Sequence, residues 1–141
     1  MSTIATAYPG ASQYSEDELT HAIRDNAWLH FTQMSAYQDP DKRPLMLVRG
    51  KDTTVWDIDG NAYLDLLAGI YSVNAGYGRT RIVEAMAAQA AEMPFVNPFG
   101  YISVPTAVLA DRLGDLAPLG GEARVFFTSG GSDSVDTAAK L

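Results

Sequence analysis

The stretch from Arg124 to Thr137, RVFFTSGGSDSVDT, decides the fold. The pattern predicts a short buried strand over 123–127, then a glycine turn, then a helix from Ser134 onward. A strand, turn and helix in this order aim unpaired backbone N–H groups and the positive end of the helix dipole at one place. That arrangement is an anion site, and phosphate is its usual occupant.

The residues of the turn suit close contact with a ligand. Gly130 and Gly131 let a ligand approach the backbone, and Ser132 adds a hydroxyl group. No Gly-Lys-Ser/Thr follows, so the loop is not a Walker A motif, and it does not match the dinucleotide fingerprint. Asp133 has the same charge sign as phosphate, so we expect its side chain to point away and to cap the helix or meet a partner. An ordinary capped connection explains the same residues, and both interpretations stay open at this point.

Upstream of this stretch the sequence predicts a helix that begins with a capping box. Ser15 and Glu18 have the spacing of that motif. Apolar residues then recur at steps of four, which predicts one helical face: Leu19, Ile23, Ala27 and Phe31.

A small antiparallel sheet is predicted after the helix. Strands are expected over 45–49, 53–58 and 61–66. Asp59-Gly60 lies between the last two and predicts a two-residue type I′ turn, which needs positive φ at both positions. Pro105 lies near the start of a later helix, in agreement with the preference of proline for the first helical position.

Three segments, in this order, resemble class III aminotransferases, the omega-transaminase branch of fold-type I pyridoxal phosphate enzymes. They are Trp56–Asp65 (WDIDGNAYLD), Gly69–Arg79 (GIYSVNAGYGR) and Phe126–Ser134 (FFTSGGSDS). Each motif is weak alone, but their order and spacing are specific. The resemblance runs from about Leu29 to Leu141. It implies an α/β fold of the fold-type I transferases, of which this chain is an N-terminal segment with a helix, a small antiparallel sheet and the start of the large α/β domain.

The resemblance assigns the turn to the cofactor pyridoxal 5′-phosphate. Gly131 and Ser132 match the phosphate-binding glycine and serine of the family, and Gly130 lies directly before them. The family more often has Ser-Gly-Ser-Glu-Ala here, so Gly130, Asp133 and Ser134 are departures. Gly130 removes a hydroxyl group, but the backbone amides remain.

Three aromatic residues become candidates for substrate binding by the same resemblance. Tyr71 falls where the family often places a tryptophan or another aromatic residue that lines the pocket. Phe31 falls at a similar position near the N-terminal helix, and Phe99 lies in a loop that reaches into the partner subunit's site. Each has a simpler structural explanation: core packing for Phe31, filling the underside of the hairpin for Tyr71, and burial at an interface for Phe99.

The chemistry of this family needs a lysine that forms a Schiff base with the cofactor, and a carboxylate for the ring nitrogen. Lys42 and Lys51 lie in predicted turn segments. Lys140 lies about 12 Å along the helix from Ser132. None of the three suits the role, so the sequence predicts no catalytic residue within this chain, and in the family these groups come much later.

We therefore expect an N-terminal portion of a larger enzyme. It would comprise a flexible arm at 1–14, a small-domain segment at 15–103, and the truncated start of the large cofactor-binding domain at 104–141. Two helices should then expose apolar faces where the rest of the subunit or a dimer partner packs, one through Val108 and Leu113 and one through Ala138 and Leu141.

The resemblance implies an aminotransferase that moves an amino group from an amine or ω-amino acid to a 2-oxo acid. It also implies a homodimer with shared active sites, and a 141-residue chain that is inactive alone. Two alternatives stay open. One is a pyridoxal phosphate-dependent decarboxylase or aminomutase of the same fold. The other is a non-catalytic phosphate-binding module.

Composition limits the possible partners, site types and cellular locations. The chain has 10 Lys and Arg against 17 Asp and Glu, a net charge of −7, which argues against a nucleic-acid partner. Cysteine is absent, which excludes disulfides, a thiol nucleophile and a thiolate metal site. His21 and His30 are isolated, so no metal site is expected. No apolar run approaches the roughly 18 residues of a membrane span, and the first 15 residues lack the features of a secretory signal, so we expect a cytoplasmic protein.

Overall fold

The computed structural model describes residues 13–39, 41–120 and 123–141. Of the predicted arm at 1–14, residues 1–12 lie outside the described residues. The chain divides into two compact units, Met1–Met86 and Ala87–Leu141. The predicted domain boundary between 103 and 104 stays a prediction.

The first helix, α1, spans Glu16–Asn26 and begins with the predicted capping box. The Ser15 amide donates to Glu18 Oε2 at 2.7 Å, and the Glu18 amide donates to Ser15 Oγ at 3.2 Å. The helix ends sooner than its apolar spacing predicts, because the poor helix formers Asp25 and Asn26 precede a break at Ala27, whose backbone is extended.

Phe31 therefore lies beyond the helix, and its assignment to the helical face of Leu19 is wrong. Its backbone has a φ of 52°, and its side chain is fully exposed rather than packed in a core. A short 3-10 helix, Met34–Gln38, follows. Arg24 of α1 donates from Nη2 to the carbonyl oxygens of Asp39 at 3.1 Å and Lys42 at 3.0 Å, which ties the returning chain to the helix.

The predicted sheet is present; its first strand has the predicted length but begins two residues later, at Leu47, and the other two strands are shorter than predicted. Its strands are β1 (Leu47–Lys51), β2 (Thr54–Asp57) and β3 (Ala62–Leu64), antiparallel and in that order. The β2–β3 turn differs from the predicted one. Gly60 has a φ of 87°, but Asp59 is not at positive φ. The Gly60 amide donates to the Asp57 carbonyl at 3.1 Å, so the loop has three residues, 58–60, in place of a type I′ pair.

The remaining elements are helices and one short turn. A turn of four residues, Ala68–Tyr71, follows β3. Helix α2 spans Thr80–Glu92, α3 spans Val104–Leu116, and α4 spans Gly131–Lys140. Ser103 caps α3 by accepting from the Thr106 amide at 3.3 Å, and Pro105 lies in the first turn as predicted. Helix α4 begins three residues earlier than the predicted start at Ser134.

The predicted strand over 123–127 is wrong. Residues 123–128 have no regular secondary structure, and Phe126 is 72% exposed. A strand needs a neighbouring strand for its backbone hydrogen bonds, and the described part of Ala87–Leu141 contains helices and loops only. The apolar composition of this segment is therefore not matched by a strand or by full burial among the described residues.

The predicted apolar faces are exposed. Val108 and Leu113 on α3 are 49% and 39% accessible, and Leu141 at the end of α4 is almost fully so. None of the helices in the described chain is both long and apolar enough to cross a lipid bilayer.

Candidate functional site

The start of α4 is an open cluster of backbone donors. Gly130 precedes the helix with an extended backbone, and no side chain caps it. The first bond of the helix joins the Ser134 amide to the Gly130 carbonyl at 3.0 Å. The N–H groups of Gly131, Ser132 and Asp133 come before that bond, so helix geometry leaves them without an intrahelical acceptor. They can donate to a ligand.

The space around these donors is free. A Cβ atom placed on Gly130 or Gly131 would meet nothing within 4 Å. The Ser132 side chain is exposed and makes no hydrogen bond among the described residues. Three N–H groups, one free hydroxyl and the positive end of a helix dipole fit a phosphate group.

Hydroxyl groups fix the backbone of this loop. Thr128 Oγ1 and Ser134 Oγ lie 3.2 and 3.0 Å from the Gly130 carbonyl oxygen and within hydrogen-bond distance of each other, so two hydroxyl hydrogens are shared among three contacts. The Ser129 hydroxyl donates to the Asp133 carboxylate. Asp133 thus has a partner, which is one of the two predicted alternatives, and the expectation that its carboxylate points away from a ligand stays a prediction.

The lysines have other partners or lie on the surface. Lys140, at the far end of α4, pairs with Asp136, and Lys42 lies 3.6 Å from Asp39. Lys51 is exposed at the end of β1. Within the described ranges, no group of three or more histidine, aspartate and glutamate side chains is placed to hold a metal ion.

The turn Ala68–Tyr71 is left-handed, and we call it the left-handed turn. Its four residues have φ values of 47°, 57°, 54° and 63°. Only glycine adopts this conformation readily, and other residues lose about 1–2 kcal/mol each. Ile70 is β-branched, which makes its positive φ a clear outlier. A turn of this kind persists only where surrounding contacts hold it.

Asp65 supplies such contacts. Its carboxylate accepts from the Leu67 amide at 3.1 Å, from the Gly69 amide at 2.9 Å and from the Tyr77 hydroxyl at 2.8 Å. The Tyr77 hydroxyl, with the amides of the turn, holds the pKa of Asp65 below its usual value. The bond to Asp65 in turn raises the pKa of Tyr77. At neutral pH the pair is a carboxylate and a neutral phenol.

The three aromatic candidates are all exposed, and they lie in different surroundings. Tyr71 ends the left-handed turn, and its side chain is 76% accessible. Phe31 lies in the loop after α1. Phe99 lines a cavity of about 350 Å³ within Ala87–Leu141, together with Phe126 and Phe127. The structure thus brings Phe99 to the segment that leads into the loop before α4, and the predicted underside packing of Tyr71 is not found.

Two carboxylates that hold the first unit together were not singled out by the sequence. Asp57 is buried and accepts from the Asn61 amide, the Asn61 side chain and the Tyr63 hydroxyl at 2.7–3.0 Å. Asp65 has the spacing of an aspartate that bonds amides two and four residues ahead, a recognised turn signal. The bond to Tyr77, twelve residues away, has no such local signal.

Comparison with known proteins places these features in a family. The family profile for class III aminotransferases matches residues 36–141. A probable aminotransferase of Mycobacterium tuberculosis is 42% identical over 124 residues, covering 87% of this chain and 25% of that protein.

Solved structures agree. An (S)-enantioselective omega-transaminase from Thermomicrobium roseum superposes with a TM-score of 0.80 at 39% identity, covering 90% of this chain and 28% of that one. A taurine:2-oxoglutarate aminotransferase from Bifidobacterium kashiwanohense, solved with pyridoxal phosphate and glutamate, has a TM-score of 0.79 at 28% identity, over 92% of this chain and 27% of that one. The predicted fold class is confirmed, and the chain spans about a quarter of the length of these relatives. By its profile match and its relatives, the chain belongs to the class III aminotransferases.

Proposed function

We propose that the full-length protein is a pyridoxal phosphate-dependent aminotransferase that transfers an amino group from an amine or ω-amino acid to a 2-oxo acid. The observation that carries the proposal is the uncapped start of α4, which leaves three N–H groups open within the region matched by the family. The B. kashiwanohense relative, named for taurine and 2-oxoglutarate, is an example of that class of donor and acceptor.

The phosphate loop would bind and orient the cofactor. Gly130 and Gly131 leave room for the phosphate, the amides from Gly131 to Asp133 donate to its oxygens, and the Ser132 hydroxyl adds a further donor. When bound, the cofactor supplies a pyridine ring that withdraws electrons from the substrate carbon. This chain's part is to hold the phosphate end of that ring system in one place.

The aromatic candidates would shape the substrate pocket. We assign Tyr71 and Phe31 to the wall that meets the amine, and Phe99 to a loop that serves the partner subunit's site. None of the three side chains is packed in a core of the described chain, so each is available for such a contact. The Schiff-base lysine would come from outside these 141 residues, since Lys140 pairs with Asp136.

The exposed surface and the composition support proposals on oligomeric state, substrate class and location. The exposed apolar faces of α3 and α4 support packing against the rest of the subunit or a second copy, so we propose a homodimer. The net charge of −7 supports small-molecule substrates rather than nucleic acid. The absence of cysteine supports, by composition alone, a cytoplasmic location.

The decisive experiment is Ser132→Ala in the full-length protein. We expect cofactor affinity, measured by spectroscopic titration of the apoprotein, to fall by about 1–3 kcal/mol, the scale of a hydrogen bond to a charged group. Inorganic phosphate should compete with the cofactor in the parent protein and less effectively in the variant.

Thr137→Ala is the matched control, because it removes a hydroxyl from the same helix beyond its first turn. It should bind the cofactor as the parent does. If Ser132→Ala also binds the cofactor with unchanged affinity, the loop is a structural turn and the proposed phosphate site fails.

A further inference from the structure

The left-handed turn is held from one side by a single carboxylate. Asp65 Oδ1 accepts from the Leu67 amide at the entrance of the turn, and Oδ2 accepts from the Gly69 amide within it. Both oxygens are needed, because the two amides bond to different atoms. An amide side chain would put an NH₂ group in place of one of these oxygens, and that group would face the N–H of Leu67 or Gly69 as donor against donor.

Asp65 is itself held by Tyr77, which is fixed to the sheet. The Tyr77 amide donates to the Asp52 carbonyl at 2.8 Å, and the Asp52 amide donates to the Tyr77 carbonyl at 3.0 Å. The Tyr77 ring lies against β1 at Gly50, where a Cβ atom would come within 2.6 Å of ring carbons. The ring lies against this glycine, and its hydroxyl reaches Asp65 Oδ2 at 2.8 Å.

Tyr71, at the end of the turn, depends on this frame for its direction. Its side chain is 76% exposed, so packing among the described residues does not fix it. Its carbonyl accepts from Asn74 Nδ2 at 2.8 Å, which closes the turn on the far side. The direction of the Cα–Cβ bond of Tyr71 thus follows from the left-handed backbone.

We propose that Asp65, with Tyr77, is a positioning residue for the amine pocket: it keeps Ala68–Tyr71 left-handed and so sets the direction in which the Tyr71 side chain meets the substrate. The proposal rests on the proposed function, in which Tyr71 lines that pocket. Asp65 would then be a specificity-determining residue that touches neither substrate nor cofactor.

The test is Asp65→Asn in the full-length protein, compared with Asp59→Asn. Asn keeps the size of the side chain but offers one acceptor oxygen, so it releases one amide of the turn. Asp59→Asn is the same exchange on the same hairpin, where the carboxylate bonds to Arg43 and not to the turn. Tyr77→Phe removes only the hydroxyl and is the milder variant should Asp65→Asn fold poorly.

Two readouts separate positioning from a general structural role. Hydrogen exchange of peptides covering 66–73 should be faster in Asp65→Asn, and faster to a smaller extent in Tyr77→Phe. The ratio of kcat/KM for a bulky amine to that for a small amine should change by roughly five- to tenfold in Asp65→Asn, mainly through KM. Cofactor affinity should stay at the parent value, and Asp59→Asn should match the parent in all three measurements.

Unchanged exchange of 66–73 in both Asp65→Asn and Tyr77→Phe would overturn the proposal, and so would faster exchange with an unchanged amine preference. If exchange is faster but the amine preference is unchanged, Tyr71→Ala shows which assumption is wrong. If it also leaves the preference unchanged, Tyr71 does not line the pocket, and the error lies in that assignment. The aminotransferase proposal is judged separately, by cofactor affinity in Ser132→Ala.

Discussion

The hairpin and the phosphate loop use their polar groups in opposite ways. In the hairpin, Asp57 accepts three hydrogen bonds from residues within six positions along the chain, and the groups close on one another. In the phosphate loop, hydroxyls fix the Gly130 carbonyl while the next three amides stay open. The polar groups of the hairpin are paired with one another, whereas the loop before α4 leaves donors available among the described residues, which is the basis of the proposed phosphate site.

The largest expected effect is a loss of stability in the hairpin region. Gly50→Val puts a side chain where the Tyr77 ring lies, 2.6 Å from where a Cβ would stand. Overpacking of this kind costs about 1–3 kcal/mol, so we expect a clear fall in the unfolding midpoint of the full-length protein and faster hydrogen exchange over 47–64.

Gly60→Ala is the matched control for that variant. Gly60 has a φ of 87° but nothing within 4 Å of a new Cβ, so the substitution introduces backbone strain and no clash. It should cost less, about 1 kcal/mol. Equal stability of the Gly50→Val variant and the parent would show that the Tyr77 ring is not confined against β1.

A smaller effect concerns the charge inside the hairpin. Burial acts to raise the pKa of Asp57, but hydrogen bonds from Asn61 and Tyr63 outweigh it and hold the pKa below its ordinary value. The carboxylate therefore stabilises the folded state above its unfolded pKa of about 4, and this stabilisation is lost as the pH falls through the lower folded value.

Asp57→Asn should remove that pH dependence. We expect hydrogen exchange over 54–64 to be faster than in the parent at neutral pH, and the difference to shrink as the pH falls below about 4. Asp59→Asn, whose carboxylate lies on the exposed side of the same loop, is the control, and its hydrogen exchange over 54–64 should stay close to that of the parent at neutral pH. A constant difference between Asp57→Asn and the parent across this range would contradict the assigned role of the charge.

The same contrast explains which features the sequence could predict. The predictions of the capping box at Ser15 and of a helix start near Pro105 were correct, because the groups involved lie within a few residues of each other. The hairpin was found from Asp59-Gly60, although the loop has one residue more than the pattern suggested. These elements depend on short-range bonds whose geometry is the same in any protein.

Features with distant partners could not be predicted in the same way. The apolar spacing up to Phe31 predicted a longer helix, since periodicity alone does not show where a helix ends. Residues 123–127 were predicted as a strand, but a strand requires a neighbouring strand, and the described part of Ala87–Leu141 contains none. The bond from Asp65 to Tyr77 depends on the sheet that places Tyr77, so no local pattern could have revealed it.

The smallest expected effect tests whether the Ser134 hydroxyl holds the backbone of the loop before α4. The resemblance to the family implies serine at the position of Gly130 and alanine at that of Ser134, and here the hydroxyl lies on Ser134. Ser134 Oγ bonds to the Gly130 carbonyl and to Thr128, so it fixes the backbone that presents the open amides. Ser134→Ala in the full-length protein should weaken cofactor binding by about threefold to tenfold, the value of one hydrogen bond.

Gly130→Ser can then replace the lost hydroxyl. Gly130 has an extended backbone that any residue adopts, and a Cβ there meets nothing within 4 Å, so the added side chain is tolerated. In the double variant Gly130→Ser/Ser134→Ala we expect cofactor affinity to return toward the parent value, because a hydroxyl again lies beside the loop. An effect of Ser134→Ala that Gly130→Ser does not reverse would mean that Ser134 acts on the helix alone, and the two family departures would then be independent rather than compensating.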